Sequence, residues 1–393
     1  MKFKRLQQAN LKGKTVLVRV DFNIPRDKAG GITDDTRLRA AVPTIKAISD
    51  GGGKPVLLSH FGRPGGKVDP KLSLEFMIPV LADLLETDVH FSDQLHEAIV
   101  ESVPQGDVLL LENTRFHAGE TTGDTDLAKE YAALGDIFVQ DAFSAAHRNH
   151  VSSAVIAQFL PAYAGLNMER ELDHLAQALE VPKKPVMAVV GGAKVSTKIE
   201  LLSNLVKKLD VLAIGGGMAN TFLFALGHNV GKSLHEADFK DTALGIMEAA
   251  KSAGCRILLP VDGVAATEFK ANAEHRVVGL DNVKANEMIL DAGPDSVEGL
   301  LDAIDGVKTL IWNGPLGAFE MTPFDTSTVE AAKYAAKRAR EHGLIAVAGG
   351  GDTVAALNHA KAADDFTFIS TAGGAFLEWM EGKSLPGVEI LKQ

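Results

Sequence analysis

One cysteine in 393 residues, Cys255, leaves no partner for a disulfide and too few thiols for a cysteine-built zinc site. It lies in the apolar stretch CRILLP, where a buried thiol is expected. No run of 18 apolar residues occurs, and the N-terminal MKFKRLQQAN has charge but no apolar core. Neither a membrane span nor a signal peptide is therefore expected, and the cytoplasm is the expected location. Positive charge is not in excess either. With 40 basic against 51 acidic residues and a net charge of −11, the chain lacks the basic footprint that broad nucleic-acid binding needs. Low-complexity polar tracts are scarce and 46% of the residues are hydrophobic, which excludes disorder.

Several catalytic signatures are absent as well. The dinucleotide fingerprint GxGxxG follows no strand candidate, and no GxSxG elbow supports a serine nucleophile. GHNVGKS (227–233) looks like a phosphate loop, but it has three residues between its glycines where a Walker A has four, and it follows the helical pattern MANTFLFAL. His90, His228 and His359 show no metal-ligand spacing.

What the sequence does contain is alternation. Short β-rich runs alternate with helical patterns from end to end, the signature of parallel sheets covered by helices on both faces. The chain is too long for a single core to be the default, and two domains are expected. Strand candidates in the first half are TVLVRV (15–20), PVLLS (55–59), DVLLLE (107–112) and DIFVQ (136–140). In the second half they are PVMAVV (185–190), VLAI (211–214), RILLPV (256–261), TLIW (309–312), LIAVA (344–348) and FTFIS (366–370). Between the sets, Leu166, Met168, Leu172, Leu175, Ala176 and Leu179 recur with a helical period that Pro182 and Pro185 stop. The expected organisation is an N-terminal lobe over 1–165, a connecting helix and hinge over 166–184, and a C-terminal lobe over 185–379.

Ligands on open α/β sheets bind outside the carboxyl ends of the strands, and those ends differ between the halves. In the first half they read DFN (21–23), SHFGRP (59–64), ENTRF (112–116) and DAFSAAHR (141–148). Arg63, Arg115 and Arg148 follow three of the strands, Arg19 lies within the first, and DDTRLRA adds Arg37 and Arg39. Any one of these could be a surface ion pair; at successive ends of parallel strands they predict one basic basin suited to phosphate or carboxylate. Residues 1–170 hold 19 basic against 22 acidic residues and the remainder 21 against 29, which also puts the anion site in the first half.

The second-half ends are glycine-rich: VVGGAK (189–194), AIGGGMA (213–219), WNGPLG (312–317), AGGGDT (348–353) and STAGGA (370–375). Glycine lets backbone N–H groups approach a ligand, and a helix starting there adds its positive end. One such turn can be merely a tight loop; five on one sheet favour a nucleotide.

These motifs, in this order and over essentially the whole chain, resemble the phosphoglycerate kinase family. VLVRVDFNIP, SHFGRP, LENTRF, the AHR of DAFSAAHR, GGAKVSTKIE, IGGGMANTF, WNGPLGAFE and GGGDT carry the resemblance. It implies two Rossmann-like lobes, with a C-terminal tail of about 380–393 returning to the first, in a monomer that closes by hinge bending. It implies reversible phosphoryl transfer from 1,3-bisphosphoglycerate to ADP, giving 3-phosphoglycerate and ATP, with Mg2+ accompanying the nucleotide. Asp21, Asn23, Arg37, His60, Arg63, Arg115 and Arg148 would bind the phosphoglycerate. Lys198, Asn313, Glu320, Gly350, Gly351, Asp352 and Thr353 would bind the nucleotide, Asp352 contacting the metal, while Arg37 and Lys194 would hold the phosphoryl group in transfer. Two turns depart from the commonest family pattern: Ala372 replaces a glycine in TAGG, and DAFSAAHR has Ser144 and Ala145 where many members have Gly and Thr. A dinucleotide-dependent dehydrogenase and a non-catalytic two-lobed anion-binding protein are the alternatives. The first lacks its glycine fingerprint, and the second would have no use for Asp352 and two lysines at glycine turns.

Overall fold

The computed structural model describes residues 2–393. The chain divides into two compact units: one runs up to Asp173 and includes Ser384–Gln393, the other is His174–Lys383.

In the first unit, β1 (Thr15–Arg19), β2 (Lys54–Leu58), β3 (Val89–Ser92), β4 (Val108–Leu111), β5 (Ile137–Gln140) and β6 (Ala162–Ala164) form a sheet in the order β3-β4-β2-β1-β5-β6. Every pairing is parallel. Central strands such as VLLL of β4 are buried at each position, as expected of a sheet covered on both faces. One layer of the core packs Val16, Val18 and Leu57 against Leu38, Ile45 and Ile48 of the helix Thr36–Asp50. Because β1 is flanked by β2 on one side and β5 on the other, the chain order reverses beside it. Such a switch point leaves a crevice at the carboxyl ends of the strands.

The C-terminal segment completes this unit. Lys4 N donates to Leu391 O at 2.8 Å, Gly387 N donates to Ala146 O at 2.8 Å, and Leu385, Val388 and Leu391 are buried.

The second unit repeats the plan with β7 (Val186–Val190), β8 (Val211–Ile214), β9 (Arg256–Leu258), β13 (Thr309–Asn313), β14 (Ile345–Gly349) and β15 (Phe368–Ser370), ordered β15-β14-β13-β7-β8-β9 and again all parallel. Its switch point lies between β7 and β13. An addition unforeseen from the sequence interrupts it: β10 (Asp262–Ala266), β11 (His275–Gly279) and β12 (Met288–Ala292) form a separate antiparallel sheet ordered β11-β10-β12.

All ten strand candidates are strands, within two residues at each start and three at each end. The helical period after β6 is also realised, as an α-helix over Leu166–Leu175 continued by a π-helical turn over Ala176–Glu180. Its start is fixed by Asp141 at the end of β5, whose Oδ1 accepts from Asn167 N at 2.9 Å and Met168 N at 3.2 Å. Burial pushes the Asp141 carboxyl up to about 7 against these donors. Cys255 is buried and its thiol is pushed up to about 11, chiefly by burial, as suits an inert structural group.

Candidate active site

The carboxyl edge of the first sheet gathers cations that have few acids to meet. Arg115 is buried, its Nη1 donates to Gly62 O at 2.6 Å, and its Nε has no partner. Burial, and then the positive fields of Arg148 and Arg19, depress it to about 10, so it remains charged at neutral pH. His150 is lowered to about 4 by burial and by Arg115, Arg148 and Arg19. Neutralising groups are few: the buried Glu120 favours the charge on both Arg19 and Arg115, and Arg37 is ion-paired to Asp21 at 2.8 Å. Five of the six arginines expected in the basin, Arg19, Arg37, Arg63, Arg115 and Arg148, thus meet around His60 and Arg115: His60 lies in the fields of Arg19, Arg115, Arg148 and Arg37, and Arg115 in those of Arg148, Arg19 and Arg63. The sixth, Arg39, does not join them. It is exposed and paired to Asp35 at 2.8 Å, because two positions along a helix turn a side chain roughly 200° away from Arg37.

Arg19 is the member of the expected basin to which the sequence assigned no role of its own. Its side chain is fully buried, and Nη2 lies 2.9 Å from His60 Nδ1. A guanidinium can only donate, so Nδ1 accepts and the ring proton sits on Nε2. Burial, followed by the fields of Arg19, Arg115, Arg148 and Arg37, holds His60 well below its usual range. It is a neutral donor, unsuited to forming a phosphohistidine.

Amide side chains tie the loops together. Asn23 Oδ1 accepts from Gly62 N at 3.0 Å, joining the ends of β1 and β2, while Arg37 Nη1 donates to Asn23 O at 3.0 Å. Asn113 does the same for the ends of β2 and β4: it accepts from Phe61 N and Arg115 N, each at 3.1 Å, and donates to Phe61 O at 2.7 Å. Asn113 stands inside the ENTRF motif, but nothing in its residue type distinguishes a loop tie from a ligand contact.

In the second unit the strand ends approach so closely that side chains are excluded. A Cβ on Gly191 would lie 1.8 Å from Pro315 O, and one on Gly350, at φ +100°, would lie 2.8 Å from Asn313 Nδ2. Asn313 is the hub: Nδ2 donates to Gly349 O at 2.7 Å and Oδ1 accepts from Lys198 Nζ at 2.6 Å. Lys198 Nζ also donates to Gly191 O at 2.7 Å, and burial lowers it to about 8 despite the opposing field of Asp352. Thr353 Oγ1 accepts from Gly314 N at 2.7 Å. Gly350 precedes the helix Gly351–His359, whose N-terminus has no side-chain cap and carries Asp352 in its first turn. The helix Gly373–Met380 starts beside it, a Cβ on Gly373 lying 3.8 Å from Gly350 Cα.

Two cavities of about 270 Å³ each meet here. One is a glycine-walled polar cradle containing Lys194, Lys198, Asn313, Gly350, Gly351 and Thr353; the other is an apolar slot between Leu234, Phe269, Met288 and Phe319, with exposed Glu320 at its wall. Gly192, Ala193, Pro315 and Asp352 line both. All the expected nucleotide residues are therefore brought together. Four positions apart, Lys194 and Lys198 do not share a helical face: a 3-10 turn, Val195–Thr197, separates them, and Lys198 is the non-helical residue before the helix Ile199–Leu205. They reach the cradle from opposite ends of that turn. GHNVGKS forms a loop after the helix Gly216–Ala225 and bonds to Glu287 O through Lys232 N.

A cationic crevice on one parallel sheet and a cradle joined to an apolar slot on the other are the geometry on which the comparisons bear. The family model described as phosphoglycerate kinase matches residues 6–383. Among curated proteins, the phosphoglycerate kinase of Caulobacter vibrioides is 59% identical over 396 residues, covering all of both chains. That of Methylobacterium radiotolerans is 58% identical over 395 residues, covering 99% of this chain and 98% of its own. Among solved structures, phosphoglycerate kinase from Coxiella burnetii superposes with a TM-score of 0.93 at 40% identity, covering 99% of each chain. The Pyrococcus horikoshii enzyme gives 0.76 at 29%, covering 99% of this chain and 98% of its own. With the match unbroken across both units, the chain belongs to the phosphoglycerate kinase family.

Proposed function

We propose that this protein transfers a phosphoryl group reversibly between 1,3-bisphosphoglycerate and ADP, forming 3-phosphoglycerate and ATP, the glycolytic reaction of its family. The observation that carries the reading is the crevice of the first unit, where the buried Arg115 lies in the fields of Arg148, Arg19 and Arg63 with few acids to balance them. A multiply charged anion relieves that repulsion, and a planar guanidinium fork matches both its phosphate and its carboxylate. Arg37, Arg63, Arg115 and Arg148 are assigned to those groups, with Asp21, Asn23 and the Nε2–H of His60 orienting the carbon skeleton. The cradle residues Lys198, Asn313, Gly350, Gly351 and Thr353 are assigned to the nucleotide phosphates, the apolar slot to the base and Glu320 to the ribose.

Transfer needs no protein nucleophile. A terminal phosphate oxygen of ADP attacks the acyl-phosphate phosphorus, the bond to the carboxylate oxygen breaks, and the carboxylate leaves. The protein's contribution is alignment and charge. Arg37 and Lys194 are assigned to the oxygens of the group in transfer. Lys198 Nζ, with its hydrogens on neutral oxygens, exchanges at least one of these for a phosphate oxygen.

Among the described residues no group of three or more His, Cys, Asp or Glu could hold a metal ion. Asp352 alone faces the cradle, which fits Mg2+: this ion keeps its waters and takes most of its remaining ligands from phosphates, so one carboxylate suffices. Mg2+ bound there would neutralise phosphate charge. We also place the protein in the cytoplasm as a monomer, with a hinge at 166–184 that brings the two ligands together. No helix among the described residues is long and apolar enough to cross a membrane.

The test is ATP consumption in the presence of Mg2+ with and without 3-phosphoglycerate, scored by formation of the acyl phosphate. Consumption that does not depend on 3-phosphoglycerate overturns the assignment.

A further inference from the structure

We propose that Ser144 is a positioning residue of the phosphoglycerate site, its hydroxyl fixing the Asp21–Arg37 pair in register with the loop that carries Arg148. The proposal rests on the assignment of Asp21 and Arg37 to that site. Ser144 lies in the 3-10 turn Phe143–Ala145 that follows β5. Its Oγ donates to Asp21 Oδ2 at 2.5 Å, and the same oxygen accepts from Arg37 Nη1 at 2.8 Å. Asp21 Oδ1 accepts from Asn23 N at 3.1 Å. Donors from three segments thus converge on one carboxylate.

The sheet itself does not supply this register. β1 and β5 pair as far as Arg19 and Gln140, and the backbone bond from Asp141 N to Arg19 O at 2.9 Å follows directly after. Beyond it the two chains run as loops, one carrying Asp21 and Asn23, the other Ser144 and Arg148. The Ser144 hydroxyl connects them at the level of the site's side chains.

The connection matters because Arg37 is oriented through Asp21. Its Nη1 is directed at Asp21 Oδ2 and Asn23 O, which leaves Nη2 and Nε to face an anion. A guanidinium binds an anion well only in a narrow range of orientations. Loss of the hydroxyl frees Asp21 to rotate, and the fork turns with it. Glycine or alanine at 144 has no hydroxyl with which to make the tie.

The test combines Ser144→Ala, Ser144→Thr, Arg37→Ala and the Ser144→Ala/Arg37→Ala double variant, with each substrate varied at saturation of the other. Ser144→Ala is expected to lower kcat/KM for 3-phosphoglycerate about tenfold, the scale of one hydrogen bond to a charged group, while the KM for nucleotide stays within about twofold. Ser144→Thr, which keeps the hydroxyl, is expected to recover most of the loss. In the Arg37→Ala background, Ser144→Ala is expected to change kcat/KM by less than about twofold, since the pair it acts through is gone. Additive losses in the double variant, an equal rise in both KM values, or wild-type kinetics for Ser144→Ala overturn the proposal. If Arg37→Ala is damaging while Ser144→Ala is silent, the role of Ser144 alone fails. If Arg37→Ala is silent, the site assignment fails and this proposal with it.

Discussion

The two units solve one problem, holding a phosphate, by opposite means. On the proposed reading the first recognises an anion with side-chain charge: the fields of Arg19, Arg37, Arg63, Arg115 and Arg148 meet at His60 and Arg115. On the same reading the second recognises it with backbone: Gly191 and Gly350 let strand ends and a helix start crowd together, and Lys198 is the half-buried cation among them. Charge acts at a distance and tolerates small displacements, but it is repulsive when the site is empty and it is screened by salt. Backbone donors cost little electrostatically yet tolerate no added atom. The crevice should therefore fail through lost charge and the cradle through added volume.

The largest expected effect breaks the first half of that contrast. Arg37→Ala is expected to lower kcat on the order of 10²-fold, as removal of a charge-stabilising donor does, with nucleotide KM unchanged. A rise in KM alone, at wild-type turnover, would remove Arg37 from the transferring group.

Gly350→Ala breaks the second half. The added methyl meets Asn313 Nδ2 at a backbone angle that disfavours any side chain, φ +100°. Calorimetry is expected to show nucleotide affinity weakened on the order of tenfold, through roughly 1–3 kcal/mol of backbone strain, and phosphoglycerate affinity unaltered. Equal nucleotide affinity in the variant would mean that the cradle does not need so close an approach.

The third expectation sharpens the contrast through pH. Lys198 titrates near 8, so it is charged below that pH and loses its proton as pH rises through it. Nucleotide affinity should fall several-fold between pH 7 and pH 9, since the phosphate then meets a neutral amine. In Lys198→Met this dependence should disappear. A slope preserved in that variant would assign it to another group.

Ionic strength separates the units by the smallest margin. Raising salt from 0.05 to 0.5 M is expected to weaken phosphoglycerate binding about threefold more than adenosine binding, since adenosine itself carries no charge to screen. Parallel losses for both ligands would contradict the division between charge and backbone.

The same contrast explains what was legible in the sequence. Central strands announce themselves as apolar runs buried on both faces, and the glycine and arginine motifs follow them directly. The edge strands of the first sheet do not: β3 is VHFS and β6 only three residues, each paired on one side only. The antiparallel sheet was invisible because β11 buries a single residue, Val278, and leaves no apolar run to read. Within the site, residue type revealed which groups carry charge but not which are held by others. Arg37 and Arg39 look equivalent in DDTRLRA until the helix turns one away, and Arg19 looks like a strand residue until its burial against His60 is seen. Asn113 and Ser144 are ties whose partners lie 52 and 123 positions away. Periodicity does not register such distances.

The docking of Ser384–Gln393 in the first unit has a consequence for synthesis. Gly387 fits so tightly over Ala146 that a Cβ there would lie 2.8 Å from the Ala146 Cα, and Ala146 stands between Ser144 and Arg148. The loop that completes the arginine crevice is thus braced by residues a ribosome makes only after the whole of 174–383. A nascent chain that has emerged only as far as Asp173 has all six strands of the first sheet but not this brace. The first unit is therefore completed after the second, so phosphoglycerate binding should mature only once 384–393 has emerged, after the nucleotide cradle, encoded entirely within 174–383, has had the opportunity to form.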